Sequence, residues 1–207
     1  MTSRFVVAAL LCLAIGGQSF GQGKKDTKEK GEQAMPDMQE MMKKWQEVMT
    51  PGEPHKMLEG MVGMWDVETK AWMGGPGTEP SVTKGSSQMK MILGGRFLQQ
   101  ETTGEMMGMP MNGIGITGYD NFKKKYVGFW IDNTGTAMYT MEGEMDKEGK
   151  TCTYWGVMDE PMTGERDKKV KYTISMDGTD THMFRIYDVA AYGEKEPTVE
   201  MTYTRKK

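Results

Sequence analysis

The residues able to do chemistry in this chain are few and dispersed. Histidine occurs only as His55 and His182, and cysteine only as Cys12 and Cys152. Two separated histidines and one thiol outside the N-terminal stretch do not make a structural zinc set, which needs clustered Cys and His ligands. His55 follows Pro54 at a helix start and is expected to be exposed. His182 opens the run THMFRIYDVA on the same alternation as Phe184 and Ile186, so it is expected to be partly buried or at a rim. A haem-ligand role would require His182 to face an apolar cavity. Cys152, inside TCTYWGV, reads as a buried, inert thiol. A Cys152–His182 nucleophile pair on neighbouring strands would need a third orienting group and an oxyanion-binding motif, and neither stands out.

Carboxylates are plentiful but scattered. Asp66 and Glu68 share a strand face, as do Glu101 and Glu105. Such pairs run acid–base chemistry only at a defined separation in a cleft, and solvated strand faces hold them routinely. Methionine is the compositional outlier, at 24 residues. Met106, Met107, Met109 and Met111 crowd one hairpin, MMGMPM. Thioethers select soft ions such as Cu(I), yet Met is also a flexible filler of apolar space. No metal site or cofactor is assigned.

Aromatic residues point more clearly to a site. Trp72, Tyr119, Trp130, Tyr139 and Trp155 fall in strand-like segments or at their ends, and Arg96 and Arg185 fall among them. A barrel interior lined by Trp, Tyr and an Arg suits a small hydrophobic or aromatic ligand with one anionic group. The candidate ligand-binding set is therefore Trp72, Arg96, Tyr119, Trp130, Tyr139, Trp155, His182 and Arg185. Small barrels can equally be packed solid, so the set has meaning only if the interior is hollow.

The elements that must position these residues are mostly strands. From residue 61 onward, polar and apolar residues alternate with a period of two, beginning with Trp65, Val67, Thr69, Ala71 and Met73. Comparable segments recur at 82–92, 96–105, 112–119, 125–132, 136–145, 150–158, 168–176, 181–190 and 197–204. Turn chemistry separates them, as at Gly94-Gly95, Asn133-Thr134-Gly135 and Asp177-Gly178. About ten strands with short links and no crossover helix imply an antiparallel sheet. Closure into a barrel removes the two long edges such a sheet would expose; a two-sheet sandwich is the competing architecture.

Upstream, residues 35–60 read as a helical segment. MPDMQEMMKKWQEVM places its apolar residues on one helical face, and Thr50-Pro51-Gly52 stops it. The strand segment 126–131, YVGFWI, is apolar on both faces. It is expected to be buried once by the interior and once by this helix packed outside. Further upstream, Arg4 precedes the apolar run Phe5–Ile15, and Ser19 and Gly21 suit signal-peptidase cleavage. That run is too short for a hydrocarbon core that takes about 20 residues. Residues 1–21 are expected to be a cleaved signal peptide, 22–34 a charged disordered spacer, and 61–207 the β-barrel domain. The mature chain would be secreted or periplasmic, without a transmembrane anchor. The net charge of −3 comes from interspersed acids and bases, with no basic patch for nucleic acid.

Two resemblances bear on the fold. Gly63-Met64-Trp65 opens the first strand and Arg205 ends the last. This pairing resembles lipocalins and other calycins, in which the first-strand Trp packs at the closed end under an Arg from the last strand. Trp65 and Arg205 are the expected closure pair. A longer set of matches covers HKMLEGMVGMWDVE (55–68), KMILGGRFLQQE (90–101), GEMMGMPMNGIGITGYDNFKKKYVGFWIDNTGT (104–136), DEPMTG (159–164) and MTYTRKK (201–207). By these the chain resembles the bacterial family named "domain of unknown function 1579". The resemblance implies a lipocalin-like barrel and no known activity; nitrobindins, haem-binding calycins, are a distant similarity. The reading that follows is a non-enzymatic binder of a small hydrophobic molecule. The alternatives are an enzyme, hydrolase or isomerase, using barrel-lining titratable groups, and a haem or copper binder.

Overall fold

In a computed structural model, residues 37–207 are described. The expected signal segment and spacer lie outside the described residues. Ten strands follow two helices: α1 (Met38–Met49), α2 (Glu53–Gly60), β1 (Gly63–Ala71), β2 (Ser81–Ile92), β3 (Phe97–Met106), β4 (Met109–Asp120), β5 (Lys125–Asp132), β6 (Tyr139–Met145), β7 (Thr151–Glu160), β8 (Glu165–Asp177), β9 (Thr181–Asp188) and β10 (Val199–Arg205). A short helix, α3 (Val189–Tyr192), links β9 to β10.

The strands form one closed antiparallel barrel in sequence order, with β10 returning to pair with β1. The closing register sets Trp65 opposite Arg205 and Ala71 opposite Val199. Alternation then decides what faces inward. Along β9, His182, Phe184, Ile186 and Asp188 line the interior, while Arg185 pairs outward with Glu200. The alternation predicts a strand through residue 190. The chain instead turns into α3 at Val189, because the Asp188 side chain accepts a hydrogen bond from Ala191 N–H and caps that turn.

One end of the barrel is shut. Leu58 of α2 and Met61 insert there beside Trp65 and Tyr203, all nearly free of solvent contact. Burying a Leu side chain contributes about 1.5–3 kcal/mol, enough to hold a two-turn helix that has little stability of its own. His55 is buried rather than exposed: its Nδ1 accepts the Gly52 N–H at 3.0 Å, and its ring meets Tyr119 edge-on. The bond fixes the first turn of α2 and gives the imidazole a structural task.

The helix expected outside the barrel is two helices with different roles. α2 packs on β2, β3 and β4. α1 buries none of its residues, and Met38, Met42, Trp45, Val48 and Met49 are exposed. It is tied down at its last turn, where the Asn121 amide donates to Glu47, Val48 and Thr50 carbonyls and Arg96 donates to that of Met49. The expected cover over YVGFWI is therefore not α1. Tyr126 reaches α2, donating to Pro54 O. Val127 and Phe129 face an open outer groove with Ile116, Trp155 and Val157.

A candidate ligand cavity inside the barrel

The barrel is hollow. A cavity of ≈ 520 Å³ runs from the shut end to an open mouth, within the size range of small-molecule sites. Alternation on every strand builds it in three zones.

The floor is aromatic and polar. His182 stacks on Tyr203 at 4.3 Å and meets Trp65 edge-on at 4.5 Å. Trp65 Nε1 donates to Met61 O, and the guanidinium of Arg205 lies over the indole at 4.2 Å. Above them, Thr102 donates to Ser87, and the Gln100 amide donates to both Thr102 and Tyr203. His182 is buried, and its Nδ1 has no hydrogen-bond partner among the described residues. Burial, reinforced by the Arg205 charge, pulls its pKa down to about 4, so the imidazole is neutral at ordinary pH.

The wall is apolar. Val67, Met89, Leu98, Val170, Tyr172 and Phe184 surround the middle of the cavity, and Tyr172 and Phe184 stack at 5.9 Å.

The mouth is where charge collects. Trp130 and Tyr139 are cross-strand partners on β5 and β6. The Trp130 indole lies against Gly113, where a Cβ would collide with it, and Gly115, where a Cβ would crowd it, and its Nε1 donates to Asp132 Oδ2 at 2.8 Å. Burial pushes the Asp132 carboxyl up, but hydrogen bonds from Thr134 and Trp130 outweigh it and hold the pKa below the usual value. Burial raises the Tyr139 phenol, and the charges of Asp132 and Glu160 add to that. Across the mouth Lys168 and Asp188 pair at 2.6 Å, with only 10% and 17% of their side chains exposed.

Of the eight ligand-binding candidates, the structure brings Trp130, Tyr139 and His182 to this cavity. Trp72 lies just past β1, its N–H bonded to Thr198 O. Tyr119 packs at the shut end on His55 and Tyr126. Arg96 clamps helix and turn carbonyls. Trp155 is on the outer face under Lys169, and Arg185 is on the outer face with Glu200 and Ser175. Asp132, Glu160, Lys168, Asp188 and Gln100 were not singled out from the sequence. Alternation was the available signal: Asp132 shares the parity of Trp130, and Asp188 that of His182.

The other chemical groups are placed apart. Cys152 on β7 and His182 on β9 are separated by β8. Burial pushes the Cys152 thiol up to about 11, which keeps it protonated and a poor nucleophile. Asp66 pairs with Lys206 and Glu101 with Lys90, both on the outer surface. Met106, Met107 and Met111 border the mouth, Met106 and Met107 well exposed.

A family model matches residues 50–205. The chain belongs to that family, described as "Protein of unknown function (DUF1579)". The match spans every strand of the barrel and α2, so the cavity is framed by the part of the chain that defines the family. No curated protein matches the chain.

Proposed function

We propose that this protein binds a small hydrophobic molecule inside its barrel. The observation behind the reading is the ≈ 520 Å³ cavity with an apolar wall, polar groups at its two ends and an open mouth. Sites of that size usually combine an apolar lining with a few placed polar groups. The reading is tested by titrating the protein with N-phenyl-1-naphthylamine, an uncharged probe that brightens in apolar surroundings. Saturable binding of one probe per chain is expected. Thr69→Trp, which fills the cavity from β1, should abolish it while leaving the thermal unfolding transition intact. Probe binding that persists in Thr69→Trp would place it elsewhere and sink the reading.

Haem binding has less support. It needs an imidazole nitrogen open to the cavity, and His182 is 1% exposed, with Tyr203 against one face and Trp65 against its edge. An enzymatic reading would draw on Asp132, Glu160 and the Lys168–Asp188 pair, but Lys168 and Asp188 neutralise each other at 2.6 Å.

We also infer export. Arg4 followed by the apolar run Phe5–Ile15 and small residues at 19 and 21 supports it. Among the described residues no helix is long and apolar enough to cross a membrane. N-terminal sequencing of the protein recovered from outside the cytoplasm should begin near Gln22; an intact Met1 terminus there would contradict cleavage.

A further inference from the structure

We propose that the cavity selects ligands whose polar end is positively charged, a long-chain amine or quaternary ammonium, with that end held at the mouth by Trp130, Tyr139, Asp132 and Glu160. This deepens the ligand-binding reading and rests on it.

Arg96 and Arg185 are the arginines expected to meet an anionic ligand, and Arg205 is the closure residue, yet none of the three is free to do so. Arg96 is spent on backbone carbonyls, Arg185 on Glu200 at the outer face, and Arg205 on Trp65 and the carbonyls of Gly60 and Val62 beneath the floor. Lys168 does face the cavity, but Asp188 neutralises it at 2.6 Å. Lys84 and Glu105 also border the mouth and offset each other in charge.

Asp132 and Glu160 remain. Both line the cavity, and among the described residues neither is within salt-bridge distance of a cation; Glu160 acts on Lys168 only at longer range. Asp132 spends one oxygen on Thr134 and the other on Trp130. Those neutral donors keep it ionised without cancelling its charge. Among the charged residues that line the cavity, four are carboxylates, Glu105, Asp132, Glu160 and Asp188, against the two cations Lys84 and Lys168. A cleft with an excess of one sign of charge between low-dielectric walls concentrates counter-ions at its entrance.

The aromatic geometry suits the same ligand. One face of the Trp130 indole lies on the bare backbone of Gly113 and Gly115, which leaves the opposite face to the cavity. Tyr139 stands beside it across the β5–β6 pair. Aromatic faces attract ammonium groups, Trp most strongly, and the attraction grows when water is excluded. The apolar wall leading to Leu98 and Phe184 then takes the alkyl chain.

The test uses three probes with the same dodecyl chain: dodecyltrimethylammonium, dodecanol and dodecanoate, the two ions below their micelle concentrations and the alcohol below its solubility limit, titrated calorimetrically with the full chain near neutral pH. The ammonium should bind at least tenfold tighter than the carboxylate, with the alcohol between them. Raising salt from about 0.01 M to about 1 M, which shortens the screening length from ~30 to ~3 Å, should shrink that preference. Asp132→Asn combined with Glu160→Gln should bring the three affinities to within about threefold and leave dodecanol unchanged. Glu160→Gln alone should go part of the way, in case the double variant fails to fold. Dodecanoate binding as tightly as the ammonium, or a cation preference that survives the double substitution, overturns the proposal. If dodecanol binds with no charge preference, this inference falls alone; if none of the three binds, the ligand-binding reading falls with it.

Discussion

The guanidinium of Arg205 lies 4.2 Å above the Trp65 indole, and a Cβ on Gly63 would stand 2.5 Å from Arg205 Nη1. The G-x-W pattern at the start of β1 thus has a steric cause: Gly63 gives room for the arginine that covers the tryptophan. Arg205 also donates to the carbonyls of Gly60, Val62 and Thr179, so it ties α2, β1 and the β8–β9 turn to the last strand. Arg205→Lys keeps the charge but loses the planar fork, and should cost about 2 kcal/mol, the scale of hydrogen bonds to a charged group. Gly63→Ala should cost about 1–3 kcal/mol by overpacking. Urea unfolding midpoints measure both, and wild-type stability in either variant would contradict the role given to this contact.

The neutral His182 makes stability depend on pH. Its folded pKa, about 4, lies below the unfolded value of 6.5. The unfolded chain therefore takes up the proton first as pH falls. Stability from this group is complete above about 6.5 and declines as pH drops toward 4, by up to about 3 kcal/mol. His182→Gln should flatten that part of the stability profile. An unchanged slope between pH 6.5 and 4 in the variant would mean that other groups set it.

Cys152 should be silent in the native state. With its thiol pushed up to about 11, the thiolate fraction near pH 8 is small, on the order of one in a thousand. Ellman's reagent should react at least a hundredfold more slowly with the folded protein than with the urea-unfolded one. Rapid stoichiometric labelling of the folded chain would show that β7 opens easily or that the thiol is not buried.

Gly143 should tolerate no side chain. It faces inward on β6, and a Cβ there would press on Thr153 O and stand 2.7 Å from the Tyr154 ring. Gly143→Ala is expected to destabilise the barrel by about 1–3 kcal/mol, whereas Gly60→Ala, where a Cβ meets open space at the end of α2, should cost nothing measurable. Equal losses at the two positions would contradict the close packing at Gly143.

Much of this fold was legible because period-two alternation and glycine turns are local signals. The segments 82–92 and 125–132 match β2 and β5 to within a residue. The site was less legible. Alternation already set Arg185 opposite in sense to His182, and Trp155 opposite to Cys152, so those pairs could not all face inward. Selecting residues by chemical type hid that parity and also passed over Asp132 and Asp188, which share the inward sense. His55 was misjudged because its burial depends on α2 docking on β2–β4, a long-range contact that no local pattern announces. The exposed face of α1 shows the converse: an amphipathic pattern identified a helix but not whether anything covers it.

The central claim, that the hollow of the barrel is the apolar binding site, meets its most direct test in a crystal structure grown with 12-bromododecanol. The bromine marks the end of the alkyl chain by its anomalous signal. The peak is expected inside the barrel, deep in the cavity near Leu98 and Tyr203, with the hydroxyl toward Trp130 and Tyr139. A peak confined to the outer groove beside Phe129 and Trp155, or to the exposed face of α1, with the interior free of ligand, would contradict it.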